Sequence, residues 1–134
     1  MSAYRSFTTR LKVKLSPKRL RKVWDLHVKH VRQRLLLPRY PDKTILFILG
    51  CQRSGTNMTQ SLFEKDFRTK TYGEFSVLSS QDREHNIRLN DHDAVMRVLD
   101  KAHAPLVILK PIVESQNAAS LLDIYPDAKA LWVF

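Results

Sequence analysis

Thr44-Ile45-Leu46-Phe47-Ile48-Leu49-Gly50-Cys51-Gln52-Arg53-Ser54-Gly55-Thr56-Asn57 is the stretch on which the reading of this chain turns. Its first six residues form a short, largely apolar run without polar alternation, the pattern of a strand buried on both faces. Gly50 ends the run, and a helix is predicted from Thr56 to about Lys65. A glycine loop between a buried strand and a helix is an anion cradle. Glycines let the backbone turn tightly so that successive N–H groups face inward, and the helix N-terminus adds positive potential. Arg53 supplies a fixed positive charge and Thr56 a hydroxyl, so Arg53, Ser54, Gly55, Thr56 and Asn57 are the candidate binding residues for a phosphate-like group. The plainer reading is an ordinary strand-to-helix turn; glycine, arginine and threonine together at this spacing favour the anion.

Outward from this loop, strands and helices alternate. Phe67 to Tyr72 is a second, weakly alternating strand. The polar stretch Ser79 to Asn90 reads as a loop or lid. Asp91 or Asp93 opens a helix through Val95, Met96, Val98 and Leu99. Leu106 to Leu109 is a third strand, followed by Lys110-Pro111. A helix from about Ser115 to Ile124 leads into a fourth strand, Ala130 to Phe134. Such alternation predicts an α/β fold, a parallel sheet with right-handed crossovers and flanking helices. Because the chain stops inside an apolar strand, it reads as truncated there.

Upstream of the loop the composition changes. The 134 residues carry 23 Lys and Arg against 13 Asp and Glu, a net charge of +10. Twelve of those bases and one acid, Asp25, fall in residues 1–39, whereas residues 40–134 are nearly neutral. The basic pI therefore belongs to an appendage and not to a nucleic-acid-binding domain. Residues 40–134 are the expected catalytic-type domain, with RYPDK (Arg39–Lys43) as linker. Within the appendage, Ser16 and Pro17 start a helix that runs to Leu37, with Leu20, Val23, Trp24, Val28, Val31 and Leu35 at helical spacing. Such a stripe either packs on the domain or docks on an anionic membrane or a partner. The start lacks an apolar signal region, no run is long enough to span a bilayer, and Cys51 is the lone cysteine. These features predict a cytoplasmic location, with peripheral membrane contact through residues 1–39 left open.

The phosphate loop of NTPases reads GxxxxGK[ST], and this loop reads GxxxxGTN. The lysine is missing; the charge sits two residues before Gly55, at Arg53. Arg53-Ser54-Gly55-Thr56 after a buried strand resembles the 5′-phosphosulfate loop of the sulfotransferases, which commonly reads P-[KR]-[SA]-G-T-[TS]. Gln52 departs from it by replacing the proline, and Asn57 by replacing the second hydroxyl residue. Tyr72-Gly73-Glu74 is similar to the element that carries the catalytic base in the tyrosylprotein branch. Lys110-Pro111 resembles the lysine that reaches the transferring sulfuryl group, and Ala130 to Phe134 the strand before the 3′-phosphate site. The resemblance covers about residues 43 to 134. It implies a P-loop NTPase-like fold and a donor substrate, 3′-phosphoadenosine 5′-phosphosulfate. It also implies catalytic roles for Arg53, Lys110 and Glu74, with parts of the donor site beyond Phe134.

The remaining candidates read as structural. His27, His30, His85, His92 and His103 show no metal-ligand spacing, so no metal is expected. Cys51 has no identifiable base partner, so a nucleophilic role is not predicted. Two other readings stay open: a nucleotide kinase or NTPase with a degenerate loop, and a membrane-surface module driven by residues 1–39. The acceptor is not legible.

Overall fold

The computed structural model describes residues 16–81 and 87–134. The first 15 residues of the basic appendage, and residues 82–86 of the expected polar loop with His85 among them, lie outside the described residues. In chain order the elements are α1 (Pro17–Leu36), β1 (Thr44–Gly50), α2 (Thr56–Glu64), β2 (Thr69–Tyr72), β3 (Ser79–Gln81), β4 (Ile87–Leu89), α3 (His92–Leu99), β5 (Leu106–Leu109), a 3₁₀ turn (Ile112–Asn117), α4 (Ala118–Ile124) and β6 (Lys129–Val133). The chain divides into two units, one ending at Val31 and the other running from Arg32 to Phe134. The division thus falls inside α1, a few residues before the Arg39–Lys43 linker expected between the two regions.

The larger unit is built on a four-stranded sheet in the order β2-β5-β1-β6. All of its pairings are parallel, with Thr44 opposite Leu106, Tyr72 opposite Leu109 and Gly50 opposite Val133. β1 has a strand on each side, and Phe47, Ile48 and Leu49 are completely buried. This is why the run is apolar at consecutive positions: both faces of a central parallel strand are covered. β5 is buried in the same way through Val107, Ile108 and Leu109, whereas β6, at the sheet edge, is mostly exposed. The core joins Phe47, Leu49, Val107 and Leu109 of the sheet to Val95 and Leu99 of α3 and to Leu121 and Tyr125 around α4. Tyr125 meets the Phe47 ring edge-on at 5.4 Å. Burial, and then the Asp91 carboxylate, push its phenol above the ordinary value of 10.0.

Helix ends follow local chemistry. The Asp91 side chain accepts a hydrogen bond from the Ala94 amide at 2.8 Å and caps α3, which decides between Asp91 and Asp93 as the opening residue. The last turn of α1 is held by Gln33, which is buried and donates from Nε2 to the carbonyls of Phe67 (2.7 Å) and Thr69 (2.8 Å).

Two expectations need correction. The stretch Ser79 to Asn90 is not simply a loop: β3 and β4 pair antiparallel, Ser79 opposite Leu89 and Gln81 opposite Ile87. Each strand has only three residues, too few for alternation to register, and the pair is fastened from outside by an ion pair between Arg88 and Glu114 at 3.5 Å. The fourth helix also starts differently. Pro111 is followed by a 3₁₀ turn from Ile112, and regular α-helix begins only at Ala118.

Candidate functional site

Topology decides where a ligand can sit. β1 leaves through α2 toward β2 at one edge, and β5 leaves through α4 toward β6 at the other. Right-handed crossovers running in opposite directions place the two connections on opposite faces of the sheet. A crevice therefore opens between the C-terminal ends of the adjacent strands β1 and β5, the usual ligand position of an open α/β sheet. The glycine loop follows β1 and Lys110 follows β5, so both candidates border that crevice.

The loop is held by its own atoms. The Ser54 amide and Oγ both donate to the Cys51 carbonyl, at 3.3 and 2.8 Å, closing a tight turn. Arg53 takes a positive φ of 67° within it, a conformation that is uncommon for a non-glycine residue. The two glycines are needed for different reasons. A Cβ on Gly50 would lie 2.1 Å from the Val133 carbonyl oxygen, so this glycine lets β6 approach. Gly55 has φ 92°, and a Cβ there would meet nothing within 4 Å; its glycine answers to the backbone turn and leaves open space beside it.

Gly55 is also the N-cap of α2, and no side chain caps that end. The first intrahelical bond runs from the Thr59 amide to the Gly55 carbonyl at 3.0 Å. The amides from Gly55 to Met58 precede it and have no carbonyl of their own helix to bond. Arg53 is exposed beside this end, and Thr56 is buried in the first turn. The Ser54 hydroxyl is committed inside the loop, so of the five binding candidates it serves the loop's shape.

Lys110 is buried, only 6% exposed, yet its Nζ reaches the first turn of α2 and donates to Asn57 Oδ1 at 2.5 Å. An ammonium has three protons, and this bond uses one. Burying a cation is costly without strong partners, so a lysine here with a neutral amide as its hydrogen-bond acceptor suits a site that receives negative charge. The Lys110 amide donates to the Tyr72 carbonyl, tying the ends of β5 and β2. Burial raises the Tyr72 phenol above its ordinary value of 10.0. Glu74 lies in the turn after β2, partly buried, at the same edge of the sheet. A shallow depression with no room for a water molecule, lined by Tyr72, Gly73, Ser76, Leu89 and Lys110, lies between that edge and the β3–β4 pair.

The structure thus brings Lys110 and Asn57 into direct contact and places Arg53 and Glu74 on the same sheet edge without a bond between them among the described residues. One residue that sequence reasoning missed is Ser115. Its Oγ accepts from the Gly50 amide at 2.9 Å and so fixes the start of the loop from the 3₁₀ turn. No signal in the sequence marks it, because the bond links residues 65 positions apart. Among the described residues no cluster of His, Cys, Asp or Glu is placed to hold a metal ion, and no helix is long and apolar enough to cross a membrane. None of the family models, curated proteins or solved structures compared with the chain matches it.

Proposed function

We propose that this chain forms the donor-binding part of a sulfotransferase of P-loop-like fold, which accepts 3′-phosphoadenosine 5′-phosphosulfate and passes its sulfuryl group to an acceptor hydroxyl or amine. The observation that carries the reading is the bond from buried Lys110 to Asn57. Across 53 residues of sequence it sets a cation against the uncapped end of α2, behind a glycine loop that carries a second cation. A phosphate-like group in the loop would accept from the amides of Gly55, Thr56 and Asn57 and pair with Arg53. Lys110, released from or shared with Asn57, would neutralise charge growing on the leaving oxygen. Glu74, at the neighbouring strand end, would take the acceptor proton. The donor supplies the reactive sulfur–oxygen bond; the chain's own work is positioning and charge stabilisation. The absence of a lysine after Gly55 weighs against the NTPase alternative, since that residue would reach a γ-phosphate.

The test is a calorimetric titration of the chain with adenosine 3′,5′-bisphosphate and, separately, with ATP and magnesium. The expected result is metal-independent binding of the bisphosphate. Arg53→Ala should weaken it about 10- to 100-fold, the ~1.5–3 kcal/mol of a hydrogen bond to a charged group. Arg53→Lys should recover part of the loss, since the charge returns without the planar fork. Unchanged affinity in Arg53→Ala, or tighter binding of magnesium–ATP than of the bisphosphate, would sink the proposal.

A further inference from the structure

The crevice uses none of the residues on α1, yet that helix has a strongly two-sided surface. At about 100° per residue, Val23, Leu20, Val31, Trp24 and Leu35 fall within one arc of about 120°. All five are exposed, at 62%, 51%, 44%, 67% and 78% respectively. Amphipathic helices of globular proteins normally bury such a stripe. Arg19 borders the arc on one side and Arg21 and Arg32 on the other, while Arg34 and His27 fall within it toward the Val23 edge, all exposed. The helix carries seven Lys or Arg and a single acid, Asp25.

We infer that α1 lies in the headgroup layer of an anionic bilayer, with the apolar stripe turned toward the acyl chains and the flanking arginines on lipid phosphates. The two halves of the pattern select this occupant together. A nucleic acid would engage the arginines but leave five apolar side chains in water. A protein groove would bury the stripe but gain little from cations on both flanks. A lipid surface uses both, because arginine stems lie along the apolar layer while their guanidinium groups stay at the phosphates. Trp24, the largest residue of the stripe, belongs at the boundary between the two layers. The stripe has no long uninterrupted apolar run, so the helix lies on the surface and does not span it.

The whole chain, carrying Trp132→Phe so that Trp24 is the only indole, is mixed with vesicles of phosphatidylcholine alone or with added phosphatidylglycerol. Co-sedimentation and a blue shift of Trp24 emission are expected with the anionic vesicles only, and both should weaken as salt rises. Each cation near an anionic surface is worth about fivefold in partitioning, so Arg19→Gln with Arg21→Gln should lower binding roughly 25-fold. Val23→Asp in the same background should abolish the blue shift while circular dichroism and bisphosphate affinity stay at the parent value. That last readout separates this proposal from the donor-site reading, since either can fail alone. Equal binding to neutral vesicles, an undiminished blue shift in Val23→Asp, or retention by an RNA or an acidic protein without vesicle binding would overturn it.

Discussion

Lys110 and Asn57 show how one hydrogen bond changes the reading of two residues. Asn57 departs from the hydroxyl residue that the loop pattern leads one to expect, and its side chain is occupied in holding a buried ammonium. Removing it by Asn57→Ala would leave Lys110 buried without that acceptor, a loss of about 1–3 kcal/mol and more where the group is charged. Added bisphosphate should restore part of the melting temperature by supplying the missing negative charge. No such ligand-dependent recovery would mean that Lys110 does not face the bound anion. Glu74 makes the complementary case. If Glu74 is the proposed base and acts only in transfer, Glu74→Gln should leave bisphosphate affinity and melting temperature nearly unchanged while lowering the transfer rate ~10²–10⁴-fold. A drop in affinity matching that of Arg53→Ala would move Glu74 from the chemical step into donor binding.

Among the elements, the junction of α1 with β2 depends on a polar anchor, not an apolar one. Gln33 satisfies the carbonyls of both Phe67 and Thr69 from one amide nitrogen, in a buried position. Gln33→Ala should therefore cost about 2–3 kcal/mol, because two carbonyls lose their donor where water has little access. Chemical denaturation with an unchanged dependence on denaturant would measure it. A loss under about 0.5 kcal/mol, the level of ordinary surface substitutions, would show that water replaces the amide. The β3–β4 pair is the contrasting element. With three residues per strand it is too short to stand alone, and the Arg88–Glu114 ion pair and the buried Leu78 tie it to the rest of the unit.

For the molecule as a whole, the two edges of the main sheet are unequal. β6 carries Leu131 and Trp132 at 37% and 47% exposure, and among the described residues it pairs only with β1. An apolar strand with one row of unpaired backbone groups is a template for another strand. The chain is expected to self-associate as its concentration rises, and Leu131→Lys should suppress this by placing a charge on that edge strand. Sedimentation velocity across a dilution series decides the matter; a monomer at every concentration in the parent chain would show that the edge is blocked.

The sheet strands, their parallel arrangement and the position of the glycine turn between β1 and α2 could all be read from the chain, because each leaves a local trace. Unbroken apolar runs at Thr44–Leu49 and Leu106–Leu109 mark strands covered on both faces, and Gly50 and Gly55 bracket the turn. The basic helix was legible for the same reason, its period being written within twenty consecutive residues. What tertiary structure alone decided is every relation across long sequence separation. The exposure of the α1 stripe, the anchoring of Gln33, the pairing of β3 with β4 and the support of Gly50 by Ser115 involve polar or solvent-facing groups that leave no periodic signature. The Lys110–Asn57 bond belongs with them. Its partners are common residue types, and only the placing of β5 beside β1 brings the end of one strand to the helix that follows the other.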